Sequence, residues 1–130
     1  YEARAQFEAE LNNPHATICL ARQGVTTQGG GAILGYIAYW HIVDEIQILD
    51  VAVDPHVQRQ GIGRKLLDHV LRTGEAARCV TWSLEVRASN RAARRLYTSA
   101  GFQIVNTRRG YYAHGGEDAF IMVRGHVPGT

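Results

Sequence analysis

The sequence has 130 residues, of which 45% are hydrophobic and 20% charged, and its formal net charge at pH 7 is +2. These values are typical of one globular domain with a substantial core, and no apolar run approaches the roughly 20 residues that a membrane-spanning helix needs. The small net charge gives no reason to expect a nucleic-acid partner. The two cysteines have no metal-ligand or redox spacing and the histidines match no metal motif, so we expect reduced thiols, a cytoplasmic protein and no metal.

The first part of the chain predicts one helix and three strands. Residues 2–12 carry a loose apolar face at helical spacing. The stretches ATICLAR (16–22) and AILGYIAYWHIV (32–43) predict two strands joined by a turn that contains three glycines at 29–31, and IQILDVAV (46–53) predicts a third strand. In the third strand the apolar alternation slips by one residue between Ile48 and Leu49. This slip indicates either a β-bulge or a strand that is buried on both faces.

The second part of the chain predicts two helices and three strands. A helix over 64–73 has a buried stripe of Leu66, Leu67, Val70 and Leu71, and Gly74 is expected to end it. The strand CVTWSLEV (79–86) places Trp82, Leu84 and Val86 on one side and Glu85 on the other. A second helix follows, SNRAARRLYTSA (89–100), with Ser89 or Asn90 as its cap and Gly101 after its end.

Two final strands, FQIVNTRRGYY (102–112) and DAFIMVR (118–124), predict a closing hairpin. The order of these elements predicts an α+β fold, with a mixed, mostly antiparallel sheet flanked by helices. On the second helix, Asn90, Ala93, Arg94 and Tyr97 are predicted to share one face. The neighbouring stripe of Ala92, Leu96 and Ala100 is predicted to be core.

The turn QRQGIG (58–63) indicates an anion site in front of the first of these helices. Gly61 and Gly63 let the backbone approach a ligand, and the free N–H groups of a helix start attract phosphate. A dinucleotide-binding motif would need glycine where Leu66 stands, and no Walker A loop is present. The pyrophosphate of coenzyme A remains, with a purely structural turn as the equal alternative.

Three stretches decide between these readings: QRQGIGRKLL, LEVRASNRAARRLYTSAGF and YYAHGGEDAFIM. Together they resemble the GNAT superfamily of acyl-CoA-dependent N-acetyltransferases, and within it the RimI type, the ribosomal-protein-alanine N-acetyltransferases. The resemblance runs from about Asp50 to Val123. It implies the GNAT acyl-CoA N-acyltransferase fold over a single domain, residues 1–130. We expect this domain to be truncated at its N-terminus and to lack the first strand of the family.

The resemblance also implies a site that uses acetyl-CoA as cosubstrate. Glu85 would be the general base, and Tyr97 would protonate the departing thiolate. The slipped strand would be the family's bulged strand, splayed from the strand of Glu85 so that pantetheine fits between them. The implied contacts to acetyl-CoA are Val51, Ala52, Val53, Arg59, Gln60, Gly61, Ile62, Gly63, Arg64 and Asn90. Tyr111 and Tyr112 would hold the first residues of the acceptor.

The function implied is transfer of acetyl to the N-terminal α-amine of a protein, of ribosomal-protein-alanine type. The alternatives are a GNAT enzyme that acetylates a small-molecule amine and a domain that binds acyl-CoA without catalysis. The tyrosine pair favours the protein acceptor, and the presence of Glu85 and Tyr97 opposes the non-catalytic domain. Without the resemblance, Glu85 would be a solvated strand residue, Tyr97 an amphipathic tyrosine and Arg91, Arg94 and Arg95 a solvated helix face. We expect a monomer whose partners are acetyl-CoA and a protein N-terminus, such as that of a ribosomal protein, with no direct nucleic-acid or membrane contact.

Overall fold

The computed structural model describes residues 16–23, 32–58, 60–112 and 116–126, and within them six strands form one sheet that carries two α-helices. The elements are β1 (Ala16–Arg22), β2 (Ile33–Ile42), β3 (Glu45–Val53), a 3-10 turn (Pro55–Val57), α1 (Ile62–Ala76), β4 (Thr81–Arg87), α2 (Arg91–Ser99), β5 (Gln103–Tyr112) and β6 (Glu117–Gly125). The strand order is β1-β2-β3-β4-β6-β5, and every neighbouring pair is antiparallel except β3 and β4.

This arrangement confirms the predicted α+β fold with a mixed, mostly antiparallel sheet. The predicted helix at 2–12, the glycines at 29–31 and the expectation of a missing first strand lie outside the described residues. In the part of the chain that the structure covers, neither helix has the length and apolarity to cross a membrane.

The core lies between the sheet and α1. The predicted apolar stripe of α1 is confirmed: Leu66, Leu67, Val70 and Leu71 are all buried. They pack in one cluster with side chains from the middle of the sheet, including Ile37, Ile46, Trp82 and Met122. Full burial of an aliphatic side chain of this size stabilises the fold by about 1.5–3 kcal/mol, so this stripe fixes the position of α1 on the sheet.

The predicted end of α1 at Gly74 is wrong, because the helix runs from Ile62 to Ala76. Gly74 is a helix residue that faces Trp82, and a Cβ at this position would lie 2.6 Å from Cζ2 of the Trp82 ring. Its missing side chain therefore serves close helix–strand packing. The helix ends two residues later, at Ala76, in a Schellman motif, in which Arg78 takes the left-handed conformation (φ 63°) and Cys79 N–H donates to the Gly74 carbonyl at 2.8 Å.

The slip in the third strand is a β-bulge. Ala38 of β2 is paired with Asp50 and the next residue, Tyr39, with Ile48, so Leu49 has no partner on β2. On its other edge, β3 pairs with β4 over only three residue pairs, from Glu45 with Thr81 to Gln47 with Ser83. After these pairs the two strands separate, as predicted. The part of β3 that is paired with β2 but not with β4 contains Val51, Ala52 and Val53.

Helix α2 begins at the predicted cap, since Asn90 Oδ1 accepts the Ala93 N–H at 3.2 Å, and Gly101 follows its end with φ 92°. Two predictions about its faces are wrong. Arg94 does not share the face of Tyr97: its guanidinium lies 4.7 Å from the ring centre of Phe120 and donates to the Ala88 carbonyl.

Of the stripe that was predicted to be core, only Ala100 is buried, whereas Ala92 is exposed and Leu96 is partly exposed. The reason is the rotation of the helix. Tyr97 and Ala100 are the residues that pack towards the sheet, where the Tyr97 ring lies 5.8 Å from that of Phe102. Ala92 and Leu96 consequently lie at the surface, in the space between this helix and the start of α1.

We expect Gly74→Ala to destabilise the protein, although alanine is the better helix former. The new methyl would overlap the Trp82 ring and come within 2.8 Å of Ile46 Cδ1. Overpacking of this kind costs about 1–3 kcal/mol of unfolding free energy. The matched control in the same helix is Gly63→Ala, whose Cβ would make ordinary contacts at 3.5 and 3.6 Å. Chemical denaturation of both variants is the measurement, and a Gly74→Ala protein as stable as Gly63→Ala would refute this packing argument.

Candidate active site

The start of α1 and one face of α2 form a groove of about 530 Å³, here called the helix groove. Its lining includes most of the residues predicted to contact acetyl-CoA: Val51, Val53, Gly61, Ile62, Gly63, Arg64 and Asn90. Leu96 and Tyr97 complete the α2 side. Ala52 and Gln60 do not line this groove, and Arg59 lies outside the described residues.

The helix groove has the features of an anion site at the first turn of α1. Gly61 takes the left-handed conformation (φ 77°), and no side chain of the described residues caps the helix. The N–H groups of residues 62–64 have no acceptor within the helix, and they carry the positive end of its dipole. Arg64 lies beside them, with its guanidinium bound to Asp68 and to the Ser99 hydroxyl at 2.9 Å each. This turn can therefore receive a phosphate group.

The separation of β3 from β4 creates a second, smaller cavity of about 190 Å³, here called the strand gap. It is lined by residues 48–51 of β3, residues 84–87 of β4 and Asn90, Ala93 and Tyr97 of the α2 region. Val51, Asn90, Ala93 and Tyr97 also line the helix groove, so the two spaces adjoin. Backbone groups of β3 that would pair with β4 in a closed sheet face this gap, and an amide-containing chain could pair with them.

A third cavity, of about 520 Å³, lies beyond the strand gap and is here called the side cavity. Its walls are mainly polar and include Glu45, Gln47, Ser83, Asn106 and Arg108. Leu84 and Glu85 line both the side cavity and the strand gap. Glu85 is therefore the charged residue at the boundary between the two spaces, where a molecule in one could react with a molecule in the other.

The position of Glu85 follows from strand alternation. Trp82, Leu84 and Val86 of β4 are buried under the helices, so Glu85 faces away from them. Its side chain is 32% exposed, and Oε1 lies 3.6 Å from Nη1 of Arg108. The guanidinium of Arg108 lies in turn 5.3 Å from the ring centre of Tyr111. The predicted acceptor residue Tyr111 is thus connected to Glu85 through Arg108, while Tyr112 is described only as the last residue of β5.

Tyr97 reaches the strand gap from the helix side and is 8% exposed. Burial raises the pKa of its hydroxyl to about 12, and the Asp50 carboxylate adds to this rise. A phenol with such a pKa keeps its proton at every pH at which the protein would work, so Tyr97 can donate a hydrogen bond into the gap.

Three residues at the site were missed by sequence reasoning: Asp50, Tyr36 and Arg108. Asp50 lines the strand gap, and its Oδ2 accepts the Tyr36 hydroxyl at 2.5 Å. The bulge was the available signal for Asp50, because an extra residue at Leu49 reverses the face of the next side chain. No local signal existed for Arg108 or Tyr36, since each meets its partner through strand pairing across the sheet.

Comparison with known proteins identifies the family of this chain. The family described as "Acetyltransferase (GNAT) family" matches residues 1–102. The [ribosomal protein bS18]-alanine N-acetyltransferase of Salmonella typhimurium is 51% identical over 83 residues, which are 62% of this chain and 56% of that protein. The N-alpha-acetyltransferase RimI of Mycobacterium tuberculosis is 39% identical over 124 residues, which are 92% of this chain and 73% of that protein.

A solved structure shows the same fold. The crystal structure of the ribosomal-protein-S18-alanine N-acetyltransferase from Escherichia coli superposes with a TM-score of 0.81 and 34% sequence identity, covering 97% of this chain and 80% of that one. The match to the Salmonella protein spans only about 56% of that relative's length. The family match over residues 1–102, the relatives and the shared fold lead to one conclusion: this chain belongs to the GNAT family of acetyltransferases.

Proposed function

We propose that this chain transfers the acetyl group of acetyl-CoA to the N-terminal α-amine of a protein. The observation that carries the proposal is the row of three adjoining spaces, from the helix groove to the strand gap to the side cavity, with Glu85 at the last boundary. A cosubstrate that contains phosphates and amides fits the first two spaces, and an acceptor fits the third with its terminal amine at the boundary with the strand gap.

The donor side is held mainly by backbone groups. The N–H groups of residues 62–64 receive the pyrophosphate, with Gly61 setting the left-handed turn and Gly63 leaving room in the groove. Residues 51–53 of β3 hold the pantetheine amides where β4 has moved away. The same backbone polarises the thioester carbonyl, which stabilises the charge that develops on its oxygen. Asn90, at the cap of α2, lines both spaces and contacts the cosubstrate between them.

Two side chains move the protons. Glu85, held by Arg108, removes a proton from the acceptor ammonium, directly or through a water molecule. Tyr97 enters from the opposite side and donates its proton to the thiolate that leaves. Because its pKa is raised to about 12, the donor form persists at neutral and mildly alkaline pH.

The names of the relatives favour a protein N-terminus as the acceptor, since the Salmonella and Escherichia coli proteins act on the alanine of a ribosomal protein. Proton chemistry favours it too. An α-amine has a pKa near 7.7–8.0 and a lysine side chain near 10.4, so at pH 7.5 about a third of α-amines are already neutral, against roughly one lysine in a thousand. A single carboxylate base therefore suits an N-terminal α-amine better than a lysine side chain.

The test is a thiol-release assay with acetyl-CoA and peptides that differ only in their first two residues and each contain an internal lysine. We expect turnover with a free N-terminus, with Ala or Ser as the first residue preferred, and mass spectrometry should locate the acetyl group on the α-amine. Peptides that are blocked at the N-terminus are the control and should not react. Acetylation of the internal lysine alone, or turnover only with small-molecule amines, would contradict the proposal.

The two proton-transfer roles can be separated by pH. Glu85→Gln should lower kcat by about 10²–10⁴, with partial recovery at high pH because more of the acceptor is then neutral. Tyr97→Phe should lose activity to a similar degree but recover nothing, since the thiolate needs its donor whatever the state of the amine. In the wild type the Tyr97 donor is present below its pKa of about 12 and lost only as pH rises through that value, so kcat should not fall between pH 8 and 10.

These profiles are measured from pH 6.5 to 10, with acetyl-CoA affinity determined in parallel by calorimetry. Affinity should change less than about tenfold in both variants, which corresponds to about 1.4 kcal/mol. Near-normal kcat of Glu85→Gln at pH 7 would exclude this carboxylate as the base. An alkaline decline near pH 9 that disappears in Tyr97→Phe would show that the hydroxyl ionises too early to act as described.

A further inference from the structure

The strand gap contains a second carboxylate, Asp50, that the mechanism above does not use. The bulge determines where this side chain points. Ile48 is paired with Tyr39 and Asp50 with Ala38, and adjacent residues of β2 face opposite sides of the sheet. Since Ile48 is buried in the core, Asp50 faces the side away from it. Glu85 also faces away from the core, so both carboxylates border the gap from the side opposite to Tyr97.

The two carboxylates differ in their partners. Glu85 is paired with Arg108, whereas the described ranges place no basic side chain within ion-pair distance of Asp50. The bond that Asp50 makes is with the neutral Tyr36 hydroxyl, at 2.5 Å to Oδ2. The pKa of Tyr36 is raised, mainly by burial and further by Asp50. Its hydroxyl therefore remains a neutral donor that does not compensate the negative charge of Asp50. Within the described ranges no donor is bound to Oδ1, so this atom can accept from a ligand.

A partly buried carboxylate with no basic partner among the described residues favours a cation. We propose, on the basis of the function proposed above, that Asp50 binds the ammonium group of the acceptor and that Tyr36 fixes the carboxylate for this contact. Asp50 is then a substrate-binding residue: it binds the ammonium form of the acceptor and presents its nitrogen to Glu85 at the boundary of the gap.

A purely structural role for the pair would predict something different. In that case the Tyr36–Asp50 bond would only fasten β2 to β3, and asparagine would replace Asp50 without loss because its carbonyl oxygen also accepts the hydroxyl. Binding of a charged acceptor would then be unchanged. The charge of Asp50, rather than its hydrogen bond, is the property that separates the two roles.

The experiment uses the whole chain saturated with CoA and two probe peptides. One begins with a free Ala, and the other is its desamino analogue, which has hydrogen in place of the ammonium group. Asp50→Asn should weaken binding of the free-amine peptide by about 10- to 100-fold in calorimetry, because a hydrogen bond to a charged partner is lost. Binding of the desamino peptide should change less than threefold, and KM for the amine should rise more than kcat falls.

Tyr36→Phe should cause an intermediate loss of affinity for the free-amine peptide, since the Asp50 carboxylate keeps its charge but its orientation is no longer fixed. The control for net charge is Glu75→Gln on α1, which removes a 58% exposed carboxylate that is paired with Arg124 far from the gap. It should leave both affinities unchanged. Thermal melting shows whether each variant is folded. If Asp50→Asn is not folded, Tyr36→Phe provides the test.

Unchanged affinity of Asp50→Asn for the free-amine peptide, or an equal loss for both peptides, would overturn the inference. These results are separable from a failure of the proposed function. Wild-type protein that acetylates no peptide N-terminus would refute the function, whereas normal acetylation by wild type together with unaltered binding by Asp50→Asn would refute only the role of Asp50.

Discussion

The structure depends on the short contact between β3 and β4. These are the two parallel neighbours in the sheet, and they hold together over only three residue pairs before they separate. A continuous ladder here would satisfy every backbone group and leave no passage through the sheet. The interrupted ladder opens a gap between β3 and β4, and Glu85, Tyr97 and Asp50 are among the residues that line it. Each function assigned to this chain needs that gap.

Several features of the fold position the strands and helices around the gap. The bulge leaves Leu49 without a partner on β2, and the residues of β3 before and after it remain paired with that strand. Packing of α1 on the strands, with Gly74 in close contact with Trp82, fixes the first turn of that helix beside the gap. On the other flank, α2 is held by the Asn90 cap and by the buried Tyr97 and Ala100. The helix groove is thus formed between the starts of α1 and α2, whose positions are set by core packing.

Sequence reasoning predicted the elements and the strand slip because these depend on local patterns. The stretch 16–22 matches β1, the alternation of Trp82, Leu84 and Val86 places Glu85, and the asparagine at 90 caps α2. It failed where a residue serves a contact with a distant part of the chain. Gly74 has the appearance of a helix stop, but its role depends on Trp82. Similarly, the rotation of α2 follows from packing of Tyr97 near Phe102, which helical spacing alone does not determine. The pairs Arg108–Glu85 and Tyr36–Asp50 exist only after the sheet has formed.

The most direct test of the account is amide hydrogen exchange with and without acetyl-CoA. If the gap is the binding path, peptides that cover residues 48–53 of β3 and residues 61–64 at the start of α1 should both become more protected when the cosubstrate is added, while β1 and the C-terminal half of α1 remain unchanged. Protection at α1 without any change in β3 would show that the cosubstrate does not enter between the strands, and this result would contradict the central claim.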